Sequence, residues 1–164
     1  MLPVIRHAEP ADLAAVKAIY DQPSVYANTL QLPYQPEAKW QSLFVPQAGF
    51  YNLVAEVEGL VVGQLGLQVM QNPRRRHVAE IGMGVSEPYQ GQGIGSALLR
   101  AALDMADNWL ALRRVELLVY SSNEPAVALY ERFGFEVEAE LTDYAFQYGN
   151  YINALQMARI ATES

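Results

Sequence analysis

The segment Gln90-Gly91-Gln92-Gly93-Ile94-Gly95-Ser96 carries the strongest chemical signal in the chain. It falls between an apolar strand pattern ending at Val85 and a helical pattern beginning near Gly93. Glycines let the backbone turn tightly and approach a ligand with no Cβ in the way. The first turn of the helix offers unpaired N–H groups and a partial positive charge. Together these features make a nest for a phosphate or pyrophosphate. A nucleoside-triphosphate loop would need Gly-Lys-Ser/Thr, and the corresponding place holds Gly95-Ser96 with no lysine. A dinucleotide fingerprint would need Gly-x-Gly-x-x-Gly after the first strand of a βαβ unit, with an acid at the end of the next strand. Here the spacing is Gly91-x-Gly93-x-Gly95, in mid-chain, and Glu116 lies inside its strand.

The elements that must position this loop follow from hydrophobic periodicity. Residues 3–7 predict a strand, and residues 12–20 a helix with Leu13, Val16, Ile19 and Tyr20 on its apolar stripe. Residues 21–36 hold three prolines and many polar side chains, which predicts a loop before a second helical stretch from Pro36 to about Phe44. Tyr51, Leu53, Ala55 and Val57 alternate with more polar neighbours. Glu58-Gly59 makes a tight turn, and Val61, Gly63, Leu65, Leu67 and Val69 continue the period of two, which predicts a hairpin. Strands at 77–85 and 115–120 alternate with helices at 94–109 and 124–133. Phe135, Val137, Ala139 and Leu141 predict a strand with one wet face, and Gly149-Asn150 turns the chain into a last strand over 151–160. Strand-helix-strand units imply parallel pairing and hairpins imply antiparallel pairing, so the class is α/β, with a mixed sheet and helices on both faces. No repeat or linker divides the chain, so residues 1–164 are expected to form one domain.

Composition narrows the function. Hydrophobic residues make up 51% of the 164 and charged residues 18%, so a packed core is expected. A net charge of −7 repels polyphosphate backbones and argues against nucleic-acid binding. The absence of cysteine removes disulfides and thiolate chemistry, and two distant histidines, His7 and His77, give no metal spacing. The start of the chain lacks a signal-peptide pattern, and no run of 18 apolar residues predicts a membrane span. A cytoplasmic protein with no metal and no membrane contact is the expectation.

The pattern Gln90-x-x-Gly93-x-Gly95 resembles the signature of the GNAT superfamily, the GCN5-related N-acetyltransferases. The preceding strand Ile81 to Val85 with Pro88-Tyr89 resembles it too, as does the downstream block Asn123, Pro125, Ala126, Leu129, Tyr130, Glu131, Gly134 and Phe135. Within the superfamily the chain is similar to YhhY-like amino-acid N-acetyltransferases. That likeness is carried by Asn28-Thr29-Leu30-Gln31, by Pro73-Arg74-Arg75 before His77, and by Asp107-Asn108-Trp109-Leu110. The resemblance implies the GNAT fold, a mostly antiparallel central sheet of about seven strands. It implies acetyl-CoA as co-substrate, and a homodimer with the last strands as interface elements. It also implies that Met83, Gly84 and Val85 pair by their backbone with the pantetheine arm. Gln90, Gly91, Gln92, Gly93, Ile94, Gly95 and Ser96 would hold the pyrophosphate, and Asn123 would reach the pantetheine from the next helix. Asn123 followed by Pro125 also suits a helix N-cap.

Acetyl transfer to an amine needs a base, because an ammonium with a pKa near ~10 has no lone pair. It also needs a donor for the carbonyl oxygen and a proton for the departing sulfur. In strict alternation Glu80, Gly82 and Gly84 share one strand face, which leaves room beside a carboxylate for an acyl group and an amine; a glycine bulge would break that count. Glu80 is the candidate base, directly or through water. Tyr130 is the candidate acid, in the position where the resemblance places a phenol facing the sulfur. A backbone N–H near Val85 is the candidate oxyanion donor. Direct attack through a tetrahedral intermediate suffices, with no covalent enzyme intermediate. Tyr26, Asn28, Gln31, Tyr34 and Tyr144 are candidate substrate contacts, and Arg74 to Arg76 either bind a carboxylate or phosphate or form a solvated basic turn. The expected partner is a small-molecule amine, a free amino acid first, with polyamines, protein N-termini or a non-catalytic acetyl-CoA-binding module as alternatives.

Overall fold

Glu58 and Gly59 both take left-handed backbone angles, with φ of 50° and 80°, the geometry that joins two strands in a tight right-twisted hairpin. That turn links β2 (Phe50–Val57) to β3 (Leu60–Val69), at the heart of a sheet described, in this computed structural model, over residues 2–162. The remaining elements are β1 (Val4–His7), α1 (Leu13–Tyr20), α2 (Pro23–Ala27), α3 (Glu37–Trp40), β4 (Val78–Val85), α4 (Ile94–Asn108), β5 (Arg114–Tyr120), α5 (Glu124–Arg132), β6 (Glu136–Gln147) and β7 (Asn150–Ile160). The seven strands run in the order β1-β2-β3-β4-β5-β7-β6, and every pairing is antiparallel except β4 with β5.

Two apolar layers flank the sheet. On one face α4, α5 and the turn after α5 cover Leu65, Leu67, Ile81, Leu117 and Met157 with Leu98, Leu99, Tyr130 and Phe135. On the other, Val16, Ile19, Tyr20, Val25 and Trp40 from α1 to α3 pack on Val54 and Val61. The alternation of β2 and β3 is thus buried on both sides, as expected of central strands.

Two readings change. Residues 23–27 form a short helix inside the segment expected to be loop, started by Pro23, whose missing N–H is no loss in a first turn. The strand expected to alternate inward through Leu141 runs on to Gln147, and Val137 is 49% exposed. The strand lies at the sheet edge, which leaves Val137 uncovered, and a register shift inserts one residue between Val137 and Ala139.

The feature that shapes the site is a splay. β4 pairs with β3 along its whole length, from Ala79 to Val85, with no bulge. It pairs with β5 only at Val78, Ala79 and Glu80, opposite Arg114, Val115 and Glu116. Beyond Glu80 the two strands part.

Candidate active site

Backbone register decides what the open edge of β4 presents. Ser86 donates to the Val62 carbonyl at 2.8 Å and Met70 to the Val78 carbonyl at 2.9 Å, so the even residues of β4 spend their N–H and C=O groups on β3. The odd residues Met83 and Val85 turn theirs toward the splay. Gly84, grouped with them from the sequence, does not: its backbone faces β3. Its lack of a side chain serves packing instead, since a Cβ there would lie 3.0 Å from Tyr20 and from Val25.

The glycine loop opens onto the same gap. Gly91 and Gly93 have φ of 74° and 85°, with nothing within 4 Å of the place a Cβ would occupy, so conformation rather than crowding demands glycine. The first intrahelical bond of α4 runs from Ala97 to the Gly93 carbonyl at 3.0 Å, which leaves the amides of Ile94, Gly95 and Ser96 without an intrahelical acceptor. The Ile94 side chain is 3% exposed and belongs to the core, so only its backbone is available. A Cβ on Gly95 would meet Leu129 at 3.2 Å and Met83 at 3.4 Å; this glycine lets α4 approach α5 and β4. Gln90 and Gln92 brace the turn from within, donating to the carbonyls of Val85 at 3.0 Å and Pro88 at 2.9 Å. Asn123 occupies the N-cap position of α5 yet makes no side-chain cap bond, so its amide is not spent on the helix.

On the α1–α3 side of the splay lies a cavity of about 320 Å³. Glu80 and Gly82 line it, and a Cβ on Gly82 would meet nothing within 4 Å, so the free space expected beside the carboxylate is there. Glu80 has no hydrogen-bond or ion-pair partner among the described residues. Its neighbour across the strand pair, Glu116, is instead held by Arg75 at 3.3 Å and Arg114 at 2.9 Å. Of the three arginines considered for anion binding, Arg75 is therefore committed to Glu116. A larger groove, about 560 Å³, runs along α5 past Glu124, Val127 and Leu155, away from the glycine loop and Glu80.

Several cavity residues escape sequence reasoning. Tyr20 donates to Gln64 at 2.6 Å, Gln64 to Asn52 at 2.8 Å, and Asn52 to the Leu43 carbonyl at 3.1 Å, a chain that ties α1 to the sheet and to the turn after α3. Trp40 stacks on Tyr20 with ring centroids 4.8 Å apart, and its indole N–H is buried without an acceptor among the described residues. Thr29, Phe50, Gln64, Gly66 and Gln68 complete the wall. One signal was available: Gln64, Gly66 and Gln68 sit at every second position of a central strand, where an apolar face is the rule.

Of the sequence-nominated substrate contacts, only Gln31 lines the cavity. Asn28 donates to the Ser24 carbonyl at 2.8 Å, within its own short helix and its C-terminal flank. Tyr34 is 98% exposed at a left-handed residue, so its ring stands in solvent. Tyr26 on α2 is half-buried but not part of the wall, and Tyr144 lies on β6 outside it; burial, and to a lesser degree Tyr144, raises the Tyr120 phenol. Tyr130 is 7% exposed, edge-on to Phe135 at 5.7 Å, and burial pushes its phenol up to about 12. The Tyr20 phenol is raised as well, by burial first and by Tyr130 second. No group of three or more potential metal ligands occurs among the described residues, and no described helix is long and apolar enough to cross a membrane.

The model of the Acetyltransferase (GNAT) family matches residues 14–135. The chain is 44% identical over 157 residues to the L-amino acid N-acetyltransferase AaaT of Escherichia coli K12, covering 96% of this chain and 97% of that one. It is 30% identical over 156 residues to the spermidine N(1)-acetyltransferase of the same organism, covering 93% and 83%. Among solved structures, a GNAT phosphinothricin acetyltransferase from Sinorhizobium meliloti, in complex with AcCoA, superposes with a TM-score of 0.85 at 24% identity, over 100% of this chain and 91% of that one.

Proposed function

The chain belongs to the GNAT family of acetyl-CoA-dependent N-acetyltransferases, and from that premise we propose that it acetylates the amine of a free amino acid, with Glu80 and Tyr130 as its catalytic pair. The observation that carries this reading is the placement of an unpartnered carboxylate beside open space, where β4 parts from β5. The relative that acts on L-amino acids is matched end to end, which favours that substrate class over the others.

The co-substrate supplies an activated thioester. The backbone of Met83 and Val85 holds its arm as an added strand, the amides of Gly91 to Ser96 hold its pyrophosphate, and Asn123 steadies the arm from α5. Glu80 takes the ammonium proton, directly or through water, so that the amine attacks with a free lone pair. The Val85 N–H receives the carbonyl oxygen as its charge grows. Tyr130 donates a hydrogen bond to the departing sulfur as the C–S bond breaks; the attacking nitrogen gives up its second proton to water, and the thiolate takes a proton from solvent.

An acetyl-CoA assay against free amino acids, polyamines and short peptides, read by product mass, should give N-acetyl amino acids as the main products. Acetylation of peptides or polyamines alone would overturn the substrate class, and binding of acetyl-CoA with no product from any amine would leave a non-catalytic module. The cytoplasm, with its acetyl-CoA pool, is the proposed compartment.

We also place a second copy of the chain against β6. That strand is an unpaired edge of 12 residues, and it exposes Val137 and Phe146 beside the exposed rings of Tyr148 and Tyr151. Light scattering should return about twice the 18.2 kDa chain mass, and Phe146→Asp should shift the mass toward that of the monomer. A monomer at micromolar concentration would exclude this arrangement.

A further inference from the structure

We infer that Lys39 and Gln31 form a carboxylate subsite at the rim of the cavity, so that the substrate is held as a zwitterion, its amine toward Glu80 and its carboxylate at α3. This rests on the amino-acid reading above and assigns the residues that would enforce it.

Glu80 is the one acidic side chain among the cavity wall residues, and no basic side chain belongs to that wall. The cation comes from its margin. Lys39 sits next to Trp40, a wall residue, with its ammonium 5.6 Å from the Trp40 ring centroid, and it donates a hydrogen bond to the side-chain oxygen of Gln31, another wall residue. Lys39 forms no salt bridge with any described residue, in a chain with a net charge of −7. An ammonium has three donors, and Gln31 takes one; the amide N–H₂ of Gln31 donates to no described residue. Donors therefore remain on both side chains, and a carboxylate is the acceptor that uses a cation and a neighbouring amide together.

The arrangement discriminates by charge. A free amino acid presents one group of each sign to the two ends. A polyamine would bring a second ammonium toward Lys39, a like-charge encounter, and an amino-acid amide would present a neutral group that gains little there. The arginine turn at Arg74 to Arg76 supplies no such cation to the cavity wall, and Arg75 is already spent on Glu116.

The test compares kcat/KM for L-leucine and L-leucinamide in the full-length wild type and in Lys39→Met, Lys39→Arg and Lys39→Glu. Lys39 is exposed, so the substitutions leave the core untouched, and calorimetric acetyl-CoA affinity checks that each variant is intact. The wild type should favour leucine. Lys39→Met should reduce the leucine-to-leucinamide ratio at least tenfold, through a higher KM for leucine. Lys39→Arg should retain most of the preference, and Lys39→Glu should favour the amide. A ratio unchanged in Lys39→Met, or a fall shared equally by both substrates, overturns the subsite while the amino-acid reading stands. A wild type that acetylates polyamines or peptides and no amino acid overturns both.

Discussion

Glu80→Gln should lower kcat/KM for the amine by about 10²–10³-fold while acetyl-CoA affinity stays at the wild-type value. The substitution keeps the size of the side chain and removes only its capacity to accept a proton. Glu80 carries no structural partner among the described residues, so its loss should leave the melting temperature unchanged. A pH profile separates the roles further. Without a base the variant depends on free amine in solution, so its kcat/KM should climb about tenfold per pH unit until the pKa of the amine is reached. The gap between wild type and variant should then narrow at high pH. A variant with near-normal activity at neutral pH would remove Glu80 from the chemistry, and one whose deficit is constant across pH would make it a binding residue.

Tyr130→Phe should lower kcat by about 10²-fold with little change in KM for either substrate, since the phenol is proposed to act on the sulfur only as it departs. Burial holds this phenol at about 12, against ~8.5 for an ordinary thiol. The reference values differ by only ~1.5, so burial has widened the difference and made full proton transfer more uphill. Tyr130 therefore acts mainly as a hydrogen-bond donor to developing negative charge, and the sulfur takes its proton later from solvent. The donating form is the neutral phenol, and a raised pKa keeps it neutral, so the wild-type profile should show no loss of activity from Tyr130 below pH 11. A falling limb near pH 9–10 that disappears in Tyr130→Phe would contradict this account. Loss of the edge contact with Phe135 is not expected, because phenylalanine retains the ring.

The neighbourhood of Tyr130 explains why the candidate pair sits where it does. α5 supplies Tyr130 and Leu129, α4 supplies Gly95, and β4 supplies Met83; the near contacts at Gly95 hold the three together beside the gap. A larger residue at Gly95 would push α4 away from α5 and displace the anion nest and the phenol at once.

The parts whose physics is local could be read from residue order alone. A run of glycines before an amphipathic helix fixes left-handed turns and exposed amides within seven residues, and the structure has both at Gly91 to Ser96. The alternation of Glu80 and Gly82 placed a carboxylate beside empty space because strand parity needs no distant information once a strand is free of bulges, whereas the space beside Gly84 is filled by Tyr20 and Val25. The same reasoning failed at Val137, which is left exposed because its strand lies at the edge of the sheet. Packing across the sheet sets where β4 and β5 part, and turns the backbone of Gly84 to β3 while that of Met83 and Val85 faces the gap. It also chose the cavity wall, retaining Gln31, leaving Tyr34 in solvent, and recruiting Tyr20, Trp40 and Gln64 from segments 44 and 24 residues apart. The physical reason is that loop side chains and strand partners are set by packing between distant segments. Residue spacing along the chain carries no record of those contacts, whereas a glycine turn and a strand face are written in the angles of consecutive residues.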